Sequence, residues 1–213
     1  MTPVRLFGAP YSVYTRIAQL VLLEADIPYV LEEIDIFRPE TVPAGYAARH
    51  PFNKIPALEH GDLHFYETDA IAAYATRLTA AGRALVPEAP AAAARMRQIM
   101  RVLDNYAYPA CVWGVYVPEH EGTAPDGVDA EAAGRAKQVL DALCGLAAAA
   151  YLQGDVPTLA DLWALPMLAY LATVPTGRRL IDERPWLPAW LERMHARPAV
   201  RQTRFPAEMA RGG

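Results

Sequence analysis

The hydrophobic pattern of this chain changes its period once, near residue 80, and that change limits the folds open to it. Before the change, short apolar runs alternate with a helical repeat. Val4–Phe7 reads as a strand stopped by Gly8-Ala9-Pro10, and Ile17, Leu20 and Val21 at i, i+3 and i+4 mark a helix over Tyr14–Ala25. Tyr29–Ile34 follows as a second strand, after the turn residues Asp26-Ile27-Pro28. Strand, helix and strand in series make a right-handed βαβ unit with a parallel pair. A Pro-punctuated stretch with one expected helix, Val42–Ala48, leads to two further strands, Ala57–Glu59 and Leu63–Tyr66. They flank His60-Gly61-Asp62 as a tight hairpin. A helix from Thr68 to Thr79 closes the unit.

After the change every periodic segment is helical: Ala91–His120, Ala130–Leu152, Leu159–Thr173 and Leu187–Ala196. Breakers separate them at Gly122–Gly127, Gly154–Pro157 and Pro175–Gly177. Alanine, the strongest helix former, supplies 40 of the 213 residues and supports the same reading. The expected fold is an α+β thioredoxin-like N-terminal domain over residues 1–80, then an all-α helical domain over 91–213. Residues 81–90, with Gly82, Pro87 and Pro90, read as a linker, and Arg211-Gly212-Gly213 as a frayed end.

Several function classes are excluded cheaply. A net charge of −4 offers no basic field for nucleic acid or an anionic membrane. The longest apolar runs, such as Ala147–Leu152, fall far short of the ~20 residues of a membrane span. No apolar leader precedes the first strand, and a cytoplasmic protein is expected. Cys111 and Cys144 form no disulfide framework, and the five histidines (50, 60, 64, 120 and 195) have no ligand spacing, so no metal is expected.

In a thioredoxin-type unit the loop after the first strand runs into a helix N-terminus, whose unpaired N–H groups favour an anion or thiolate. Here that loop, Pro10-Tyr11-Ser12-Val13-Tyr14-Thr15-Arg16, has no cysteine, which argues against a disulfide oxidoreductase. Ser12 reads either as a helix N-cap or as a hydroxyl donor to a thiolate brought by a substrate. Pro56 reads either as a strand-starting proline or as a cis-proline presenting the Ile55 backbone to a peptide. Thr68 or Asp69 is a candidate cap of the next helix; alternatively that N-terminus takes a carboxylate while Glu67 takes an amine.

Taken together, four segments resemble glutathione transferases of the serine-type, bacterial-like cytosolic kind. Gly8-Ala9-Pro10-Tyr11-Ser12-Val13-Tyr14-Thr15-Arg16 resembles the family's serine loop, and His50-Pro51-Phe52-Asn53-Lys54-Ile55-Pro56-Ala57-Leu58 its cis-proline segment. Glu67-Thr68-Asp69-Ala70-Ile71 resembles the element that grips the γ-glutamyl end. Gly154-Asp155-Val156-Pro157-Thr158-Leu159-Ala160-Asp161 resembles the capping segment of a buried helix in the second domain, where Thr158 and Asp161 make a capping box.

The resemblance implies that Ser12 hydrogen-bonds the glutathione sulfur and favours its thiolate for attack on a small hydrophobic electrophile. It implies that Ile55 and Pro56 pair with the cysteinyl backbone, that Glu67 and Thr68 bind the γ-glutamyl group, and that Asn53 and Lys54 lie near the glycyl carboxylate. Tyr11, Tyr14, Tyr106 and Trp113 are expected to line the hydrophobic-substrate pocket, with Tyr11 and Tyr14 as alternative sources of the active hydroxyl. A homodimer with a role in detoxification is implied, with hydroperoxide reduction as a further reaction. The alternatives are a non-catalytic binding or regulatory protein on the same fold, and a glutathione-dependent dehalogenase or isomerase. The sequence departs from the family at Phe7, where tyrosine-type members carry a hydroxyl, and at Val13, where proline often follows the serine.

Overall fold

A computed structural model of the chain describes residues 3–124 and 126–209; the expected fraying of 211–213 lies outside them. The chain divides into two units, Met1–Leu85 and Val86–Gly213.

The first unit is built on a four-stranded sheet. Strands β1 (Val4–Gly8), β2 (Tyr29–Glu33), β3 (Ala57–His60) and β4 (Leu63–Tyr66) lie in the order β2-β1-β3-β4. β1 runs parallel to β2 with Val4 opposite Tyr29, and antiparallel to β3 with Leu6 opposite Leu58. The β3–β4 hairpin closes His60 on Leu63 and leaves Gly61 and Asp62 as its turn, Gly61 taking a φ of +61°. Helices α1 (Val13–Glu24) and α2 (Thr68–Leu78) bury Ile17, Leu20, Val21, Ile71, Ala72 and Ala75. A further cluster gathers Phe7, Ala9, Ile34, Tyr46, Ile55 and Ala57, and so ties the ends of β1 and β2 to the start of β3.

Two expectations in this unit change. Val42–Ala48 forms no α-helix: the region makes only single 3₁₀ turns at Pro39–Thr41 and Tyr46–Ala48, the second opened by Gly45 in the left-handed region. The expected linker begins as helix, because Ala80–Ala84 forms α3, capped by Thr79 Oγ1 accepting from Gly82 N at 2.9 Å. Gly82 is there for closeness and not for a bend: a Cβ on it would sit 2.9 Å from the Thr76 Cα.

The second unit is helical. α4 (Pro90–Val102) runs into a π-helical segment, Leu103–Tyr116, and then α5 (Val117–His120). α6 (Ala130–Leu146), α7 (Leu159–Leu171), α8 (Pro175–Asp182), α9 (Trp186–His195), α10 (Pro198–Gln202) and α11 (Pro206–Met209) follow. α6 stops short of its expected end at Leu152, since Tyr151 leaves the helix to bridge Gly154. α7 is buried at every residue, which is why its sequence shows no polar face. Its Asp161 accepts from Leu152 N, Thr158 N and Trp190 Nε1, each at 2.9 Å, and the Thr158–Asp161 capping box is formed. Pro175 and Gly177 do not break the chain but build α8: Pro175 is its first residue, and a Cβ on Gly177 would fall 2.0 Å from the Leu171 carbonyl oxygen. Trp163 and Trp190 are core, whereas Trp186 is only half-buried, donating its indole N–H to Ala149 O at 2.8 Å.

The π-helical segment explains a spacing that an α-helical reading makes irregular. Its buried residues fall at Leu103, Ala107, Ala110–Val112 and Val115–Tyr116, slightly more than four residues apart. A wider turn than the 3.6 residues of an α-helix keeps these on one side. Trp113 and Tyr108, five residues apart, pack edge to face at 6.3 Å and share a side-chain hydrogen bond.

Candidate active site

β1 ends at Gly8, and the chain turns through Ala9 and Pro10 with Ser12 N donating to Ala9 O at 3.0 Å. Ser12 is the N-cap of α1, with φ −80° and ψ 125°, and its Oγ accepts from Thr15 N at 3.2 Å. The two readings of Ser12 are therefore compatible. Capping uses a lone pair of the oxygen; the hydroxyl proton is left for a second partner. That partner would stand at a helix N-terminus, where partial positive charge favours an anion.

The neighbouring tyrosines differ from it. Tyr11 donates its hydroxyl to Asp35 Oδ1 at 2.6 Å, and burial, then the bond and charge of Asp35, push its pKa up to about 12. Asp35 also accepts from Phe37 N at 3.0 Å and faces Arg38 at 3.4 Å, and the Tyr11 bond leads the causes that hold its carboxyl below the usual range. Tyr14 is half-buried in the first turn of α1.

The Ile55–Pro56 peptide is cis. Ile55 N and O take no backbone hydrogen bond among the described residues, which leaves both groups for an extended peptide. Asn53 and Lys54 are exposed just before it. Asn53 has a φ of +50° and donates its N–H to His50 O at 2.8 Å; the Lys54 carbonyl accepts from the buried Tyr46 hydroxyl at 2.9 Å.

Across β4, Glu67 occupies the N-cap position of α2 with φ 68° and ψ 118°. This lies outside the regions an L-residue ordinarily populates, and such residues gather where the surroundings impose function. Neither Thr68 nor Asp69 is the cap, contrary to one sequence reading: both are already helical, and α2 has no side-chain cap hydrogen bond. Its first N–H groups thus stand open beside an exposed carboxylate. Asn53 and Glu67 are two of the three non-glycine residues with positive φ among those described, the third being Asp26.

Comparison with known proteins shows the family. Residues 6–82 fit the family model for the glutathione S-transferase N-terminal domain, and residues 73–198 that for the C-terminal domain. The chain belongs to the glutathione S-transferase family. It is 30% identical over 210 residues to a probable glutathione S-transferase, GSTF1, of Oryza sativa subsp. japonica, covering 95% of each chain. Glutathione transferase F7 from Populus trichocarpa superposes with a TM-score of 0.80 at 30% identity, over 94% of this chain and 97% of that one. Glutathione S-transferase I from maize, solved with an atrazine glutathione conjugate, gives 0.81 at 27% identity over the whole of both chains. These relatives are plant proteins, so the expected bacterial likeness has no counterpart among them.

Within this transferase, Ser12, Asn53, Lys54, Ile55, Pro56, Glu67 and Thr68 all lie in the first unit, in the segments that follow β1, precede β3 and lead from β4 into α2. In the other unit, Tyr106 and Trp113 stand on the π-helical segment at 60% and 48% exposure, too open for core residues. Asp104, in the first turn of that segment, accepts from Trp163 Nε1 at 3.0 Å. Sequence reading missed two supporting residues. Tyr46 holds the Lys54 carbonyl, and His50, 3% exposed, lies under the same loop against Tyr66 at 5.0 Å. Burial lowers the His50 pKa; the charges of Glu67 and Lys54 act on it in opposite directions. Only the aromatic richness of 46–66 could have hinted at either. Cys111, fully buried with its thiol pushed up to about 12 by burial, is an inert core residue. Among the described residues no three His, Cys, Asp or Glu side chains group as a metal site, and no helix is long and apolar enough to cross a membrane.

Proposed function

We propose that this transferase binds glutathione on its first unit and activates the thiol with Ser12. The observation that carries the reading is the Ser12 hydroxyl itself, its oxygen engaged from behind by Thr15 N and its proton left to donate at the head of α1. A thiolate accepting that proton's hydrogen bond beside a helix N-terminus has a lowered pKa. Tyr11 is a poor rival, since its proton is committed to Asp35. Ile55 and Pro56 would pair with the cysteinyl backbone, Glu67 would take the γ-glutamyl amine, and Thr68 with the open α2 amides its carboxylate. Asn53 and Lys54 would face the glycyl carboxylate.

The thiolate would attack the electrophilic carbon of a small hydrophobic substrate, forming a C–S bond as the leaving group departs with its electron pair; the thiol proton passes to solvent. Tyr106 and Trp113 supply exposed aromatic surface for such a substrate, with Tyr11 and Tyr14 as further candidates. The maize relative was solved with a conjugate of this kind. The same thiolate would reduce a hydroperoxide to its alcohol, the resulting sulfenic acid being resolved by a second glutathione to the disulfide. A homodimer is part of the reading, supported by the exposed Phe52 at 67% and its contact with Tyr66. The test is thiolate absorbance of bound glutathione against pH, with turnover of an activated aryl halide. Ser12→Ala should raise the bound thiol pKa and lower turnover by ~10-fold to 100-fold. Binding by the wild type without turnover would instead favour a non-catalytic role.

A further inference from the structure

We infer that Gly8 and Thr15 form a positioning pair for Ser12: the contact between them sets how far the head of α1 stands from the end of β1, and so where the Ser12 hydroxyl lies. The inference rests on the reading of Ser12 above.

Gly8 has no positive φ, so its backbone does not call for glycine. Space does. A Cβ built at residue 8 would lie 2.3 Å from Thr15 Oγ1, 2.5 Å from its Cγ2 and 3.0 Å from its Cβ. The Thr15 side chain therefore fills the volume that a side chain at 8 would need. Thr15 is fully buried, and among the described residues its Oγ1 has no hydrogen-bond partner. A hydroxyl in that state contributes nothing as a donor, which leaves the branched shape as the reason for the residue.

Both members of the pair are anchored. Gly8 O accepts from Ile34 N at 2.9 Å, so the end of β1 is fixed to the chain just beyond β2. The Thr15 N–H is the group that donates to Ser12 Oγ, and Arg16 N donates to Ser12 O at 2.9 Å. A seat for Thr15 on Gly8 is thus a seat for the oxygen that Thr15 holds. Relieving a 2.3 Å contact to ordinary van der Waals distance needs a shift on the order of 1 Å, and a misplacement of that size costs a reacting group up to ~100-fold in rate.

The pair is tested with the purified full chain, reading the thiol pKa of bound glutathione, kcat, and KM for glutathione. Gly8→Ala should raise the thiol pKa and lower kcat by ~10-fold or more, with KM changed by less than ~3-fold. Thr15→Ala empties the slot and should also raise the thiol pKa, and Thr15→Val, which keeps the branched shape, should lie below Thr15→Ala. In the double variant Gly8→Ala/Thr15→Ala the contacts with Oγ1 and Cγ2 are gone and only the 3.0 Å approach of the two Cβ atoms remains, so the thiol pKa should fall below that of Gly8→Ala alone. The same substitution at 8 then costs less in the Thr15→Ala background than in the wild type, which additive destabilisation would not produce. Should Gly8→Ala fail to fold, recovery of a folded, glutathione-binding double variant carries the test. If Ser12→Ala raises the thiol pKa while the series at 8 and 15 stays flat, or the double variant is worse than both singles, the pair has no positioning role. If Ser12→Ala leaves the thiol pKa untouched, the reading of Ser12 falls and the pair with it.

Discussion

Tyr11 and Ser12 are adjacent hydroxyls with different protons to offer. The Tyr11 proton is spent on Asp35, and its pKa of about 12 keeps it neutral throughout the range in which glutathione is assayed. A tyrosine pKa raised in the folded state adds stability that is fully present below its ordinary value of 10.0 and is lost as pH climbs towards 12. Asp35, held below its ordinary 3.8, adds stability that is present above that value and is lost as pH falls through the lowered one. The contact between them is therefore intact across the neutral range. Tyr11→Phe should raise the Asp35 pKa towards its ordinary value, followed by carboxyl NMR, and leave the bound thiol pKa where it is. A rise as large as that in Ser12→Ala would return Tyr11 to candidacy as the active hydroxyl.

At the level of elements, the two helix N-termini in the first unit are finished differently: α1 is capped by Ser12 while α2 carries no side-chain cap. An uncapped helix is a stability cost on the order of 1 kcal/mol, tolerable where a ligand supplies the missing acceptor. Glutathione should accordingly raise the melting temperature of the wild type, and less that of Thr68→Val, by scanning calorimetry. In the second unit the reverse holds at α7, where Asp161 satisfies three donors from separate segments at 2.9 Å. Burial nonetheless raises its pKa, so ionising it works against the fold as pH rises through that value. Asp161→Ala strands those donors in the core and should cost about 3 kcal/mol or more, read by denaturant unfolding. The capping box and every strand were legible in sequence, because caps, alternation and turns are local signals. Gly82, read into a linker, and Gly177, read into the break after α7, both lie inside helices, and the reason is tertiary: each lies where another backbone passes within 3 Å of where a Cβ would stand. The π-helical segment lies inside the one helix expected over Ala91–His120, where hydrophobic spacing alone does not separate a π turn from an α turn. Of the proposed site, the hydroxyl, the cis-proline and Glu67 are suggested by type and order, whereas the burial of His50 and the Tyr46 bond to the Lys54 carbonyl are tertiary and no local pattern encodes them.

For the molecule as a whole, sedimentation equilibrium should return twice the chain mass of 23.4 kDa, and Phe52→Ser should shift that value towards one chain; a monomeric wild type would remove the homodimer from the proposal. The backbone at Glu67 bears on a longer timescale. Its dihedral angles suit glycine and cost an L-residue on the order of 1–3 kcal/mol. Glu67→Gly should raise the melting temperature while weakening retention on immobilised glutathione. On the proposed role of Glu67, selection for turnover and selection for thermal endurance thus pull this codon in opposite directions.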